Sequence, residues 1–219
     1  MPPLLTSAGP ETIELAASSG LILDPWQGDV LTDSMGERDD GKWQTSEVGL
    51  IVPRQNGKGS VLEARTLGGL YLLNEQLILW SAHEFKTARE GFLRMRALVD
   101  NYDHLRKKVR AIRTAAGEEG IELLNGSRLR FIARSRGSGR GFSGDLVILD
   151  EAYALSDEAM AALMPTLSAR PNPQIWYTSS ASSSRCVNSS VRRIPRPGLA
   201  IAHASRLSLA TPLSQHHSK

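Results

Sequence analysis

The sequence lacks several features that would place the protein in particular classes. It has a single cysteine, Cys186, which excludes an internal disulfide and a zinc site built from cysteines alone. No run approaches the about 18 consecutive apolar residues that a membrane-spanning helix needs, so we expect no membrane association. The N-terminus, Met-Pro-Pro-Leu-Leu-Thr-Ser, has no basic region of the kind that opens a secretory signal. The single cysteine predicts a protein of a reducing cytoplasm, or at least one that does not need an oxidising compartment.

Acidic residues are missing from the last part of the chain. The final carboxylate side chain is that of Glu158, and residues 181–219 carry six basic residues and no acid. The overall net charge of +3 therefore combines a mildly acidic body with a strongly basic end. Because this end is rich in Ser, Arg and Pro and shows no periodicity, we expect residues 182–219 to form a disordered or aberrant tail.

The rest of the chain has the pattern of an α/β domain. Its hydrophobic content of 41% is typical of a globular protein, and short apolar runs alternate with segments of helical periodicity. Strands are predicted over residues 48–52, 76–82, 109–114, 121–124, 128–133, 146–149 and 174–177. Helices are predicted over residues 11–19, 21–31, 60–73, 84–101 and 156–163. Asn125-Gly126 predicts a β-hairpin insertion, and the alternation of the other elements predicts a mainly parallel central sheet flanked by helices. We expect an N-terminal extension over 1–20 and one domain over 21–181.

The sharpest local pattern is a candidate phosphate loop after the first of these strands. Pro53-Arg54-Gln55-Asn56-Gly57-Lys58-Gly59-Ser60 joins a buried strand to a helix, so backbone N–H groups and the helix dipole would converge on a phosphate. Gly57 permits a close backbone approach, and Lys58 can reach the β- and γ-phosphates of a nucleotide. Two positions depart from the usual motif: Val52 stands at its first glycine, and Gly59 replaces the hydroxyl residue that binds Mg²⁺. Ser60 is the nearest hydroxyl.

A second pattern places two carboxylates at the end of another buried strand. Asp150 and Glu151 follow the apolar run at 146–149, and open α/β sheets bind ligands at the carboxyl ends of their strands. We expect Asp150 to hold Mg²⁺. Glu151 would act as the general base on the attacking water. The alternative is an acid pair that only faces solvent.

These motifs, in this order, resemble the ATPase part of the large terminase subunit of tailed bacteriophages. The resemblance rests on the loop around Lys58, on Leu149-Asp150-Glu151-Ala152 and on Tyr177-Thr178-Ser179-Ser180-Ala181, and it covers roughly residues 20–181. The family has a deviant Walker A loop of this Arg-Gln-x-Gly-Lys kind. The resemblance implies an additional-strand, RecA-like P-loop NTPase that uses ATP and Mg²⁺.

The resemblance also implies roles for individual side chains. Gln27 is similar to the glutamine that reads adenine, and Thr178, Ser179 and Ser180 resemble the motif that couples the nucleotide state to movement. Arg140 resembles the arginine finger that acts on a neighbouring subunit's nucleotide, and Arg54 is its rival for that task. The alternatives are a surface glutamine, a strand-end turn, and a solvated or DNA-binding basic loop.

The function implied is an ATPase motor that packages double-stranded DNA into a viral procapsid. Its partners would be the portal protein, the small terminase subunit and further copies of the chain in a ring on the portal, in the host bacterial cytoplasm. Residues 159–219 have no Asp or Glu to ligate the metals of the family's C-terminal nuclease. We therefore expect no nuclease activity, and a truncated or frameshifted gene product. The alternatives are a helicase-like DNA translocase and an inactive nucleotide-binding remnant.

Overall fold

A computed structural model describes residues 6–53, 55–133, 143–152, 169–180 and, for the backbone, 199–203. The helices in these ranges are α1 (Gly9–Ser18), α2 (Pro25–Ser34), α3 (Lys58–Tyr71), α4 (Phe85–Asn101) and α5 (Asp103–Arg106). The strands are β1 (Thr6–Ser7), β2 (Gly36–Glu37), β3 (Glu47–Val52), β4 (Leu77–Ala82), β5 (Val109–Arg113), β6 (Gly120–Leu123), β7 (Arg128–Ala133), β8 (Leu146–Leu149), β9 (Gln174–Ser180) and β10 (Leu199–His203). None of these helices combines the length and apolar character of a bilayer-spanning segment.

Eight of the described strands form one sheet in the order β10-β3-β9-β8-β4-β7-β6-β5. The six strands from β10 to β7 are parallel, whereas β6 is antiparallel to both of its neighbours. The carboxyl ends of β3, β9, β8 and β4 therefore share one edge of the sheet. Strand β9 lies between β3 and β8, the two strands that lead into the predicted loop and acid pair. This is the additional strand of the predicted fold class, which is confirmed.

The apolar runs are buried because both faces of the central strands are covered. Ile78 and Trp80 of β4 belong to the larger hydrophobic cluster, whereas Leu79 between them belongs to a smaller cluster that also contains Val147. All four side chains are fully buried. Since successive side chains of a strand point to opposite faces, this division explains why the sequence shows continuous apolar runs rather than alternation.

The predicted hairpin is confirmed. Strands β6 and β7 pair with Ile121 opposite Leu129, and Gly126 in the turn has a φ of +91°.

Strand β9 extends beyond its predicted end at residue 177 through Ser180, because β3 continues to pair with it as far as Val52 opposite Ser180. The predicted coupling segment, Thr178 to Ser180, is thus part of the strand. The helix predicted over 156–163 lies outside the described residues.

Strand β10 departs from the expectation of a disordered tail. Its backbone pairs in parallel with β3, from Leu199 opposite Glu47 to His203 opposite Ile51. Without it, β3 would be an edge strand with unpaired N–H and C=O groups, and such an edge accepts a further strand readily. The tail interpretation is therefore wrong for these five residues. The rest of the basic segment lies outside the part of the chain that the structure describes.

A buried polar network ties helix α3 to the start of β9. The fully buried Arg65 guanidinium forms two hydrogen bonds to Glu75, of 2.6 and 3.1 Å, and donates from Nε to Gln174 Oε1 at 3.1 Å. Gln174 Nε2 in turn donates to the carbonyls of Ser34 and Thr45. Buried charges require such partners. The network therefore fixes α3, whose first residue is Lys58, relative to the strand that ends in Ser180.

Candidate nucleotide-binding site

The predicted phosphate loop leaves β3 and enters α3 through left-handed backbone. Gln55 has a φ of 58° and Gly57 one of 73°. Gly57 is the N-cap of α3, and Lys58 is the first helical residue. Pro53, Gln55, Asn56 and Gly57 are exposed, whereas Lys58, Gly59 and Ser60 are half-buried. The first N–H groups of a helix have no intrahelical partner, so this arrangement offers backbone donors and a positive dipole end to an anion.

The lysine of this loop lies against the first acid of the predicted pair. Lys58 Nζ is 2.6 Å from Asp150 Oδ1, and the exposed fractions of the two side chains are 16% and 9%. Asp150 follows β8, and its backbone N–H donates to the carbonyl of Ser81 in β4. The loop and the acid pair, placed on different strands by the sequence, therefore meet at one point of the sheet edge.

Strand β9 supplies the third group at this point. The fully buried Thr178 donates its hydroxyl hydrogen to Asp150 Oδ1 at 3.0 Å. Thr178 lies opposite Leu50 in the β3 register, and its strand is flanked by β3 and β8, which lead to Lys58 and Asp150. Ser179 is largely buried, and its hydroxyl contacts the carbonyl oxygen of Ser180 at 3.4 Å. Thr178 therefore connects the predicted coupling segment directly to the acid pair.

Glu151 sits in a backbone conformation that an L-residue rarely adopts. Its φ is 56°, and its N–H donates to Asp150 Oδ1 at 3.0 Å. A left-handed non-glycine residue costs about 1–2 kcal/mol, and such conformations concentrate at functional sites. The Glu151 side chain is half-buried.

Gln27 reaches the loop, but its amide is engaged within the chain. Oε1 accepts a 2.7 Å hydrogen bond from the N–H of Asp24, and Nε2 donates to the carbonyl of Gly57 at 3.0 Å. The side chain belongs to α2, and the residue is 3% exposed. In this conformation Gln27 connects α2 to the phosphate loop. The expected pairing with adenine would require the amide to break both of these hydrogen bonds and form two with the base.

Gly59 is the position at which the loop lacks a hydroxyl. A Cβ atom built on Gly59 would lie 3.4 Å from Glu63 Oε1 and 3.7 Å from Arg94 Nη2. Ser60, the alternative hydroxyl, is half-buried one residue further along α3, and its N–H donates to Gly57 O. Glu63 and Arg94 do not stand out in the sequence, because neither belongs to a motif and they lie on different helices, 31 residues apart.

Two predicted arginines cannot be placed. Arg54, inside the loop, and Arg140, in the Gly/Ser-rich segment before β8, both lie outside the described residues. Their assignments as charge-neutralising groups stay predictions.

The donor set suits a Mg²⁺-bound nucleotide. Within the part of the chain that the structure describes, no three His, Cys, Asp or Glu side chains come together as a metal-binding group. Mg²⁺ does not need such a cage, since it is usually held by one or two carboxylates together with substrate phosphates and water. Asp150 would provide the carboxylate. An added Cβ at Gly57 would overlap Gln27 Nε2, so the loop backbone packs closely against α2 at this position.

Comparison with solved structures identifies similar folds. The chain superimposes on the large terminase of bacteriophage HK97 with a TM-score of 0.68 and 20% identity, covering 80% of this chain and 38% of that one. For the large terminase ATPase domain of Thermus phage P74-26 the TM-score is 0.64, with 16% identity and coverages of 87% and 84%. For the large terminase of a thermophilic bacteriophage in complex with ADP it is 0.62, with 12% identity and coverages of 82% and 44%.

These similarities establish the fold of the chain. It spans less than half of the HK97 terminase and of the ADP-bound terminase, but most of the P74-26 ATPase domain. No protein-family model matches the sequence, and no curated protein matches it. At this level of identity, a claim about activity has to come from the site itself.

Proposed function

We propose that this chain is the ATPase motor domain of a phage large terminase, and that it hydrolyses ATP to drive double-stranded DNA into a procapsid. The observation that carries the proposal is the convergence on Asp150 Oδ1, which accepts from Lys58 Nζ at 2.6 Å and from the Thr178 hydroxyl at 3.0 Å. Thr178 lies near the end of β9, and Lys58 and Asp150 come after β3 and β8, the two strands on either side of it. A lysine, a carboxylate and a hydroxyl at the ligand-binding edge of the sheet are the groups that phosphoryl transfer requires.

Each of these groups has a distinct task in the proposed reaction. The N–H groups at the start of α3 and the Lys58 ammonium bind the phosphates. Asp150 would hold Mg²⁺, which would supply neutralisation of the negative charge on the phosphates. Glu151 accepts a proton from the attacking water. Thr178 contacts the same carboxylate oxygen as Lys58. A movement of the Asp150 carboxylate on nucleotide binding would therefore be transmitted to β9 through this hydrogen bond.

The motor proposal extends to partners by analogy with the family. We propose that copies of the chain act as a ring on the portal protein, with the small terminase subunit, in the host bacterial cytoplasm. Arg140 or Arg54 would then stabilise the transferring phosphoryl group, in trans or in cis. Since residues 159–219 contain no carboxylate side chain, we expect no two-metal nuclease activity from this sequence.

A steady-state ATPase assay tests the enzyme proposal. The wild type should hydrolyse ATP in the presence of Mg²⁺, and Lys58→Ala and Glu151→Ala should each lower the rate by at least about 10²-fold. Exposed residues of the same types provide matched controls, Lys107→Ala and Glu118→Ala, which should keep the wild-type rate. Equal rates for all five proteins would refute the ATPase proposal.

Adding DNA tests the motor proposal. Double-stranded DNA and portal-bearing procapsids should raise the ATPase rate and make added DNA resistant to a nuclease in an ATP-dependent manner. Unwinding of a duplex without procapsids would instead favour a helicase-like translocase. Nucleotide binding without turnover, in wild type as in Glu151→Ala, would indicate a remnant that no longer hydrolyses ATP.

A further inference from the structure

The space beside Gly59 is filled by a charged pair that the phosphate-loop motif does not include. In that motif, the residue after the lysine carries a hydroxyl beside Mg²⁺ and the phosphates. Here it is Gly59, and a Cβ at this position would point to Glu63 Oε1 at 3.4 Å and to Arg94 Nη2 at 3.7 Å. A side chain at position 59 would therefore begin next to a carboxylate and a guanidinium.

Glu63 is the buried member of this pair, and it anchors the arginine. Glu63 lies on α3 one turn after Gly59, and its side chain is 8% exposed. Arg94 reaches it from α4, with Nε donating to Glu63 Oε1 at 2.6 Å. A buried carboxylate needs a charged partner, and this bond fixes the guanidinium beside the start of α3.

Arg94 keeps donors for a further anion. Its side chain is 48% exposed, and among the described residues no acceptor other than Glu63 is bonded to it. A guanidinium carries five N–H donors in a rigid fork, of which the bond to Glu63 uses one. Arginine forks match phosphate oxygens especially well, because two parallel hydrogen bonds form to one charged group.

The carboxylate itself is the weaker candidate for the nucleotide. Glu63 does not join Asp150 and Glu151 in a cluster, since no three acidic or other ligating side chains come together within the described residues. Its oxygen is already committed to Arg94. Arg94, which has N–H donors not bonded to Glu63, is therefore the better candidate to bind the negatively charged phosphates.

We infer that Arg94 is a phosphate-binding residue of the nucleotide site and that Glu63 is its positioning residue. Beside Gly59, which has no side chain, Arg94 then supplies an electrostatic contact to the phosphates. The inference rests on the proposed nucleotide binding. It adds a cation from α4, in the same subunit, to the lysine of the loop.

Affinity for a fluorescent ATP analogue, measured with Mg²⁺ by titration, tests this inference. Arg94→Gln should weaken binding by about 10- to 100-fold, the effect of losing a hydrogen bond to a charged group. Arg96→Gln is the matched control. Arg96 lies two residues along α4, is 45% exposed, and has its own ion pair with Asp100 at 3.1 Å. This control should bind the analogue like the wild type.

A double variant separates phosphate binding from helix packing. Arg94→Gln leaves Glu63 buried without its cation, which alone could disturb α3. Adding Glu63→Gln removes that stranded charge, so thermal unfolding should return toward the wild-type temperature. If Arg94 binds phosphate, the double variant still binds the analogue weakly. If the pair only joins α3 to α4, the double variant recovers its affinity together with its stability, and the inference is overturned.

The outcomes also separate this inference from the proposed function. If the wild type binds no nucleotide, both are contradicted. If the wild type binds and Lys58→Ala does not, while Arg94→Gln matches Arg96→Gln, the proposed function stands and the assignment of Arg94 falls.

Discussion

Lys58 and Asp150 are separated by 92 residues, yet Nζ of one lies 2.6 Å from Oδ1 of the other. Both side chains are largely buried, at 16% and 9% exposure. In the proposed function, an incoming phosphate would compete with Asp150 for the lysine, and Mg²⁺ would compete with the lysine for Asp150. Binding of the nucleotide together with Mg²⁺ would give each of the two charges a new partner.

Asp150→Asn should therefore separate nucleotide binding from the effect of Mg²⁺. With Lys58 released, ATP should bind more tightly in the absence of Mg²⁺, by about 10-fold or more. Added Mg²⁺ should strengthen binding to the wild type but not to the variant. Titrations of a fluorescent ATP analogue with Mg²⁺ and with a chelator measure both effects.

Asp145→Asn is the control for that experiment. Asp145 precedes β8 at its other end, where its carboxylate accepts from the N–H groups of Gln76 and Leu77. This substitution should lower stability while leaving the Mg²⁺ dependence of binding intact. An unchanged Mg²⁺ response in Asp150→Asn would contradict the assignment of Asp150 as the Mg²⁺ ligand.

Gly57→Ala should lower the free energy of unfolding by more than the left-handed backbone at this position alone would. Gly57 has a φ of +73°, and an added Cβ would overlap Gln27 Nε2. Gly41 offers a matched control, since its φ is +72° and nothing lies within 4 Å of its added Cβ. Both variants should lose about 1–2 kcal/mol of unfolding free energy to the left-handed conformation, measured by denaturant titration.

Only Gly57→Ala should also lose stability through the clash and weaken ATP binding. Equal stability and equal ATP affinity in the two glycine variants would show that the bond between Gln27 and the loop does not constrain the site.

Gln27→Ala should weaken binding of all nucleoside triphosphates to a similar extent. The amide of Gln27 is bonded to Asp24 N–H and to the Gly57 carbonyl, so its loss loosens the loop rather than a contact with the base. Affinities for ATP and GTP, measured in the same buffer, give the readout. A variant that loses its preference for ATP over GTP would support the adenine-reading role expected from the sequence instead.

Glu75→Ala should strongly destabilise the fold. It removes the carboxylate that pairs with the fully buried Arg65 at 2.6 Å, and an uncompensated buried charge costs about 3–5 kcal/mol. Asp40→Ala is the control, because the pair of Arg38 and Asp40 is exposed and its loss should cost less than about 1 kcal/mol. Similar unfolding free energies for the two variants would show that the Arg65 network contributes little.

The sequence predicts the parts of this molecule that depend on local pattern. The run at 48–52 followed by Gly57-Lys58 predicts a strand, a loop and a helix, and the apolar residues before Asp150 predict another buried strand; both are confirmed. Because strands of a parallel sheet end at one edge, their order also predicts that Lys58 and Asp150 lie close together.

The features that the sequence does not reveal depend on contacts between distant segments. The role of Arg65 requires Glu75 and Gln174 to meet inside the fold, and nothing in their spacing indicates this. Arg94 is one of several exposed basic residues of α4, and its place beside Gly59 follows only from the packing of two helices. Strand β10 pairs with β3, and its apolar residues Leu199 to Ala202 are a strand signal that the Ser-, Arg- and Pro-rich composition of the surrounding segment obscures.

Single-turnover hydrolysis by Glu151→Gln tests the central claim most directly, namely that the loop of Lys58 and the acid pair bind one Mg²⁺-nucleotide between them. This substitution keeps the shape of the side chain and removes its basicity. The account predicts that the variant binds ATP with Mg²⁺ as tightly as the wild type and hydrolyses the bound ATP about 10²- to 10⁴-fold more slowly. Hydrolysis of bound ATP at the wild-type rate would contradict it.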